Sequence, residues 1–248
     1  MLGSLVYENV LNYLRKDKRG MVITIDEFNT LSHLVNKRVY ASYCSRFEED
    51  ITNSSDLGIF KVVGYNINLT TGVGTLPTSY NRMIADPYYT DTSVTPNVVR
   101  RIDVVTSKEH SYRERDYLTK ATVKHPTCMI GTQDAYGKMQ IRVTPTSITP
   151  IKIDFLRNAV TPYLDYYVND TTKNYTYMLV GKSVAISSGS TYRDGSTGTI
   201  PSLTVDWEFG EDNLPLIVAY FLDALGATVP DELLMQVGIK DKSEILSQ

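Results

Sequence analysis

The chain has 248 residues, with 25 Lys and Arg against 28 Asp and Glu for a formal net charge of −3, long enough for one large domain or two small ones around a real core. Hydrophobic residues at 42% and charged residues at 21% exclude a disordered chain. The mildly acidic balance argues against a coat for nucleic acid, which needs surplus cations to displace counterions.

Two cysteines, Cys44 and Cys128, are too few for a disulfide scaffold or a structural zinc site. The first ten residues carry Glu8 and no basic stretch, so no secretory leader is expected and the chain reads as cytosolic at synthesis. The longest apolar run, Leu214 to Leu222, contains Pro215 and is far shorter than the roughly 20 residues of a membrane span. Tyrosine is over-used, 18 of the 25 aromatic side chains, which is read first as half-buried strand positions of a β-rich domain, with contact surfaces as the alternative.

In chain order, Leu5, Val6, Val10, Leu11 and Leu14 predict a first helix that ends at the basic stretch Arg15 to Gly20. Thr24 and Glu27 have the spacing of a capping box, and Phe28, Leu31, Leu34, Val35, Val39, Tyr43 and Phe47 predict an apolar stripe along a long second helix. Together these form a helical hairpin over residues 1–58. From Ile59 the period shortens, and alternation predicts strands at Arg101–Val105, Met139–Val143, Ile151–Phe155, Val184–Ile186 and Val205–Phe209. Ser107 to Leu118 reads as a polar surface helix capped by Ser107, and Ser187 to Ser202 as an exposed loop or wide hairpin. This β-rich region, antiparallel or mixed with long loops, spans 59–212. Helix returns over 213–248, with an apolar face at Leu216, Ile217, Tyr220 and Phe221, a cap at Gly226 and a further start at Pro230. The class is α+β, with the C-terminal helices joining residues 1–58 in one compact unit.

The residues show no catalytic constellation. His33, His110 and His125 have no ligand spacing, and His125 and Cys128, three apart in an extended segment, face opposite ways. Gly72-Val-Gly74 lacks the third glycine and the following helix of a phosphate loop. Asp165, Asp170, Asp194, Asp206 and Glu208 are read as scattered surface acids, with convergence on a metal ion as the enzymatic rival. No enzyme activity, metal or cofactor is expected. Two basic clusters stand out: Arg15, Lys16, Lys18 and Arg19, and the seven cations between Arg100 and Lys124 against four acids. Each is either a solvated face or a contact for an acidic partner or passing phosphates.

Lys16-x-x-Arg19-Gly20 followed by Thr24-Ile-Asp-Glu-Phe-Asn29 resembles the opening of neck, tail and ring virion proteins of tailed bacteriophages, those of crAss-like phages above all. Leu76-Pro-Thr-Ser-Tyr80 resembles the family's LPxDY segment, Ile141-Arg-Val-Thr-Pro145 its I-x-V-x-P strand, and Ile153-Asp-Phe-Leu-Arg157 with Thr161-Pro162 its I-x-Y-L-R-x-P-x-x-P segment. Arg101–Thr106, His125-Pro126, Leu214–Val218 and Gly226–Gly238 continue the order. Asn158-Ala159 stands where the pattern has proline, so that loop departs from it.

The resemblance spans nearly the whole chain. It implies a structural virion protein that assembles with itself into a ring, usually twelvefold, joining portal or other neck and tail rings. Phage DNA would pass through the lumen without sequence-specific binding and without membrane contact. The location implied is the virion, after assembly in the host cytoplasm. Candidate interface residues are Arg15, Lys16, Lys18, Arg19, Arg113, Arg115, Tyr192 and Arg193. The rival within the same class is a tail-fibre adaptor or receptor-binding module.

Overall fold

A computed structural model describes residues 1–16, 23–49, 57–135, 137–186 and 189–227, with only the backbone of Lys16, Thr132 and residues 46–49. The fold is α+β, and the chain forms two compact units: Met1–Asp56 with Ala159–Gln248, and Leu57–Asn158. The division falls inside the region expected as one β-rich block, because residues 159–212 pack with the helices rather than with the strands before them. Residues 214–224 fall in the same unit as the N-terminal helices, and 228–248 lie outside the described residues.

The discontinuous unit contains helices α1 (Gly3–Lys16), α2 (Ile25–Glu49) and α4 (Leu214–Ala224). The box that opens α2 is reciprocal: Thr24 N donates to Glu27 Oε2 at 2.9 Å and Glu27 N to Thr24 Oγ1 at 3.2 Å. The next residues are also committed. Tyr166 Oη donates to Asp26 Oδ2 at 3.1 Å, Phe28 stacks on Phe221 at 4.7 Å, and Asn29 exchanges two hydrogen bonds with the Leu164 backbone. Val35 and Val39 extend the buried stripe, Leu31 is half-buried, and Phe47 lies outside the described side chains. Leu34 is exposed, contrary to the stripe predicted from spacing, because the neighbouring face is taken by polar contacts. Asn29, His33 and Asn36, at helical spacing, reach Leu164, Thr161 and Val160 and pin that extended segment along α2.

Leu216, Ile217, Tyr220 and Phe221 of α4 are buried, and Tyr7, Phe28, Phe221 and Trp207 form a continuous aromatic chain. Gly226, at φ 66°, ends α4 in a Schellman turn: Ala227 N donates to Leu222 O at 2.8 Å and Gly226 N to Asp223 O at 2.9 Å. Gly20 and the Pro230 helix lie outside the described residues.

Residues 205–209 are not a strand. Only Tyr163 and Val205 form a bridge, and Trp207 is tied to Met1 by backbone hydrogen bonds, so the alternation there marks burial without a ladder. Five short strands complete the unit. β9 (Tyr166–Asn169) lies between β10 (Tyr175–Tyr177) and β12 (Ser190–Tyr192), and β11 (Ser183–Ile186) pairs with β13 (Gly198–Pro201). β11 and β13 therefore form the two arms of a wide hairpin, and β12 between them is lent to a second sheet.

The contiguous unit is two four-stranded sheets around one core. β1 (Lys61–Ile67), β8 (Ile151–Arg157), β3 (Tyr80–Asp91) and β4 (Val98–Arg101) form the first, antiparallel throughout. β2 (Val73–Thr75), β7 (Met139–Thr144), β6 (Thr127–Gln133) and β5 (Asp103–Val104) form the second, in which β5 and β6 run parallel. Alternate residues Ile151, Ile153 and Phe155 meet Ile141, Val143 and Cys128 in the interior.

The strand expected over 101–105 breaks at the buried Ile102, where the chain passes from β4 in one sheet to β5 in the other. Gly72, at φ 79°, sits with Thr71 in a two-residue hairpin closed by Thr70 and Val73, and Gly74 lies in strand β2 opposite Ile141, so the two glycines serve a turn and a strand and not a phosphate cradle. Helix α3 covers Ser107–Arg115 and stops before the predicted end, and its cap is Thr106, whose Oγ1 accepts from Glu109 N at 3.2 Å, not Ser107.

Candidate interaction surfaces

In the discontinuous unit, three segments meet on Asp165, whose side chain has no solvent exposure. Asp165 Oδ2 accepts from Tyr192 Oη and Leu203 N, both at 2.9 Å, and Oδ1 from Tyr166 N at 3.0 Å. Arg193 Nε lies 3.4 Å from the same Oδ1, its guanidinium also bonds the Tyr163 hydroxyl, and it covers the Tyr163 and Tyr192 rings. Tyr192 is therefore core, a correction to its place among the interface residues: β12 turns its ring inward, where the carboxylate takes its hydroxyl. Burial raises the Tyr192 phenol above its ordinary value, and the Asp165 hydrogen bond adds to this against the lowering effect of Arg193. Desolvation would lower the Arg193 guanidinium, but the Tyr192 hydrogen bond and the surrounding oxygens more than reverse it. Arg193 remains exposed at its outer edge and is the part of this network a partner can reach.

Beside the network lies a tyrosine surface. Tyr166 packs edge-on against Tyr175 at 5.3 Å, and Tyr7 against Tyr177 at 6.0 Å. Burial pushes the phenols of Tyr7 and Tyr166 up to about 12, helped at Tyr166 by the hydrogen bond to Asp26. Arg15 is exposed at the end of α1, close enough to oppose these shifts at Tyr7 and Tyr177. Lys18, Arg19 and the Lys16 side chain lie outside the described residues.

The contiguous unit carries the second basic cluster on α3 and the loop after it. Arg113 is bonded to Glu109 at 2.7 Å across one helical turn, whereas Arg115 is exposed. Ser107, Lys108, Ser111, Tyr112 and Arg115 share one face of α3 and line an open groove of about 530 Å³. Asp116 then folds the chain back, accepting from Leu118 N at 3.0 Å and from Thr119 Oγ1 at 2.9 Å, and presents Tyr117 and Leu118 at 92% and 89% exposure. The loop is tied down at Val123, whose carbonyl accepts from the Tyr89 hydroxyl.

The remaining polar residues are occupied singly. Asp170 accepts from Thr191, Asp194 from Ser196, Asp206 from Gly3 N and Glu208 from Val160 N. His125 is exposed while Cys128 is fully buried, its thiol pushed up to about 12 by desolvation. Among the described residues no group of three His, Cys, Asp or Glu side chains could hold a metal ion, and no helix is long and apolar enough to cross a membrane.

Charge divides with the fold. The contiguous unit has 13 Lys and Arg against 8 Asp and Glu, a net +5, and the discontinuous unit has 12 against 20, a net −8. Sequence reasoning found the basic stretch but not this partition, which becomes countable only once residues 159–248 are assigned to the first unit. It missed the Asp165 hub for the same reason, since the donors are brought together only by folding. No family model matches the chain, and no curated protein sequence matches it.

Proposed function

We propose that this chain is a structural subunit of the virion of a tailed bacteriophage, assembling as a homo-oligomeric ring in the neck between portal and tail. The observation that carries the reading is the ordered series of motifs resembling crAss-like phage ring proteins along nearly the whole chain. The roles of those motifs are physically coherent with a scaffold. Thr24–Asn29 is spent on capping and packing, Tyr80 opens β3 after a Pro77 turn, and Ile141–Pro145 and Ile153–Arg157 are core strands. A subunit with one positive and one negative unit also suits head-to-tail contacts, which close into a ring when the rotation permits.

Light scattering after gel filtration tests this. A mass near twelve times 27.9 kDa is expected for the ring. A threefold mass would favour the fibre-side adaptor, and a monomer would exclude a ring that forms without a partner.

A further inference from the structure

We propose that the basic face of α3 and the Tyr117–Leu118 loop dock on a second copy of this chain, received by the acidic unit of that neighbour. The inference rests on the ring reading and specifies its contact. Lys108, Arg115, Lys120 and Lys124 are exposed and have no carboxylate partner among the described residues. Of the acids around them, Glu109 is spent on Arg113 and Asp116 on the turn that holds Leu118, while Glu114 stays exposed, 3.8 Å from His110. Four available cations therefore flank, along the chain, two adjacent side chains with large apolar surface that the fold leaves almost wholly in solvent, a pattern that suits an apolar anchor with charged neighbours.

The occupant follows from charge and shape. A nucleic acid strand would use the cations and the tyrosine faces, but Leu118 offers no ring for a base to stack on. The chain itself supplies a complementary unit with a formal charge of −8, on which Glu8 of α1, Asp26 and Glu27 at the start of α2, and Glu211 and Asp212 before α4 are all exposed. Donor and acceptor surfaces differ, so each copy gives one and receives one, and the contact repeats in a single direction. Steering between opposite charges also fixes the partner's orientation and excludes like-to-like pairing.

The test mixes ¹⁴N- and ¹⁵N-labelled protein and joins contacting amines and carboxylates with a zero-length carbodiimide, with light scattering in parallel at about 0.05 and 0.5 M salt. Expected are multimers at low salt that dissociate at high salt, and links between copies from Lys108, Lys120 or Lys124 to acids of the discontinuous unit. Lys120→Glu with Lys124→Glu, both outside α3, should weaken association by about tenfold or more. Leu118→Asp, on an exposed loop, should do the same without disturbing the core, with circular dichroism to check folding. Multimers that persist in both variants, or that give no such links, overturn the docking surface and leave the ring reading standing. A monomer at low salt overturns the docking surface and excludes a ring that forms without a partner.

Discussion

Asp165 is a carboxylate without solvent, and such a charge survives burial only when its lone pairs are filled. The fold fills them with two backbone N–H groups, a tyrosine hydroxyl and a guanidinium. Asp165→Ala would strand all four, and a loss of about 3–5 kcal/mol is expected, read from the denaturation midpoint through Trp207, the single tryptophan. A loss below about 1 kcal/mol would show the network to be ornamental. The phenols near it set an alkaline limit. Tyr7 and Tyr166 titrate near 12 in the folded chain against about 10 in an unfolded one, so the native state holds protons the unfolded state has lost. Their stabilisation is complete below about pH 10 and disappears between there and pH 12. The denaturation midpoint should therefore drop between about pH 10 and pH 12, and a flat profile would contradict the burial of these hydroxyls. Little of this was legible beforehand. Asp165 was one acid among several scattered along the chain, and Tyr192 lay in a stretch read as an exposed loop or wide hairpin, when its hydroxyl in fact turns in.

Helices were the most legible elements because their signals are local. The Thr24–Glu27 box, the apolar spacing of α1 and the Gly226 cap each involve residues within one or two turns. Phe28 lies where α1, α2 and α4 meet, packed edge-on by Tyr7 at 5.1 Å and stacked on Phe221. Phe28→Ala should cost about 3–5 kcal/mol, measurable by urea denaturation, because three neighbouring elements cannot all collapse into the space. Strands were less legible, for a reason visible at 205–209. There Trp207 and Phe209 are buried and Glu208 is not, as in a strand, yet the backbone partner is Met1 and not a neighbouring ladder. Alternation reports which side chains face inward, and pairing depends on residues far away in sequence. Edge strand β4 illustrates the converse: it exposes Val98 and Val99, but Arg100 and Arg101, bound to Asp91 and Asp86, place charge along the open edge.

At the scale of the molecule, the cut between Asn158 and Ala159 left no mark in the sequence. Gly, Pro and Thr punctuate residues 59–212 evenly, so composition shows no linker, and only the packing of 160–164 along α2 reveals where the chain changes allegiance. The α+β class was readable from the change of period at both ends. The charge partition was not, since the net value of −3 averages two units of opposite sign.

That the acidic unit is interrupted also bears on how the protein is made. A ribosome delivers residues 57–158 as one uninterrupted piece, and every strand partner of that unit is present once β8 has emerged. The other unit must wait, with α1 and α2 already synthesised and their apolar stripe open, until α4 arrives some 165 residues after α2 is complete. During that interval the growing chain exposes the face built around Phe28. The order of completion, basic unit first and acidic unit last, means that a nascent subunit acquires its proposed donor surface before the surface proposed to receive a neighbour.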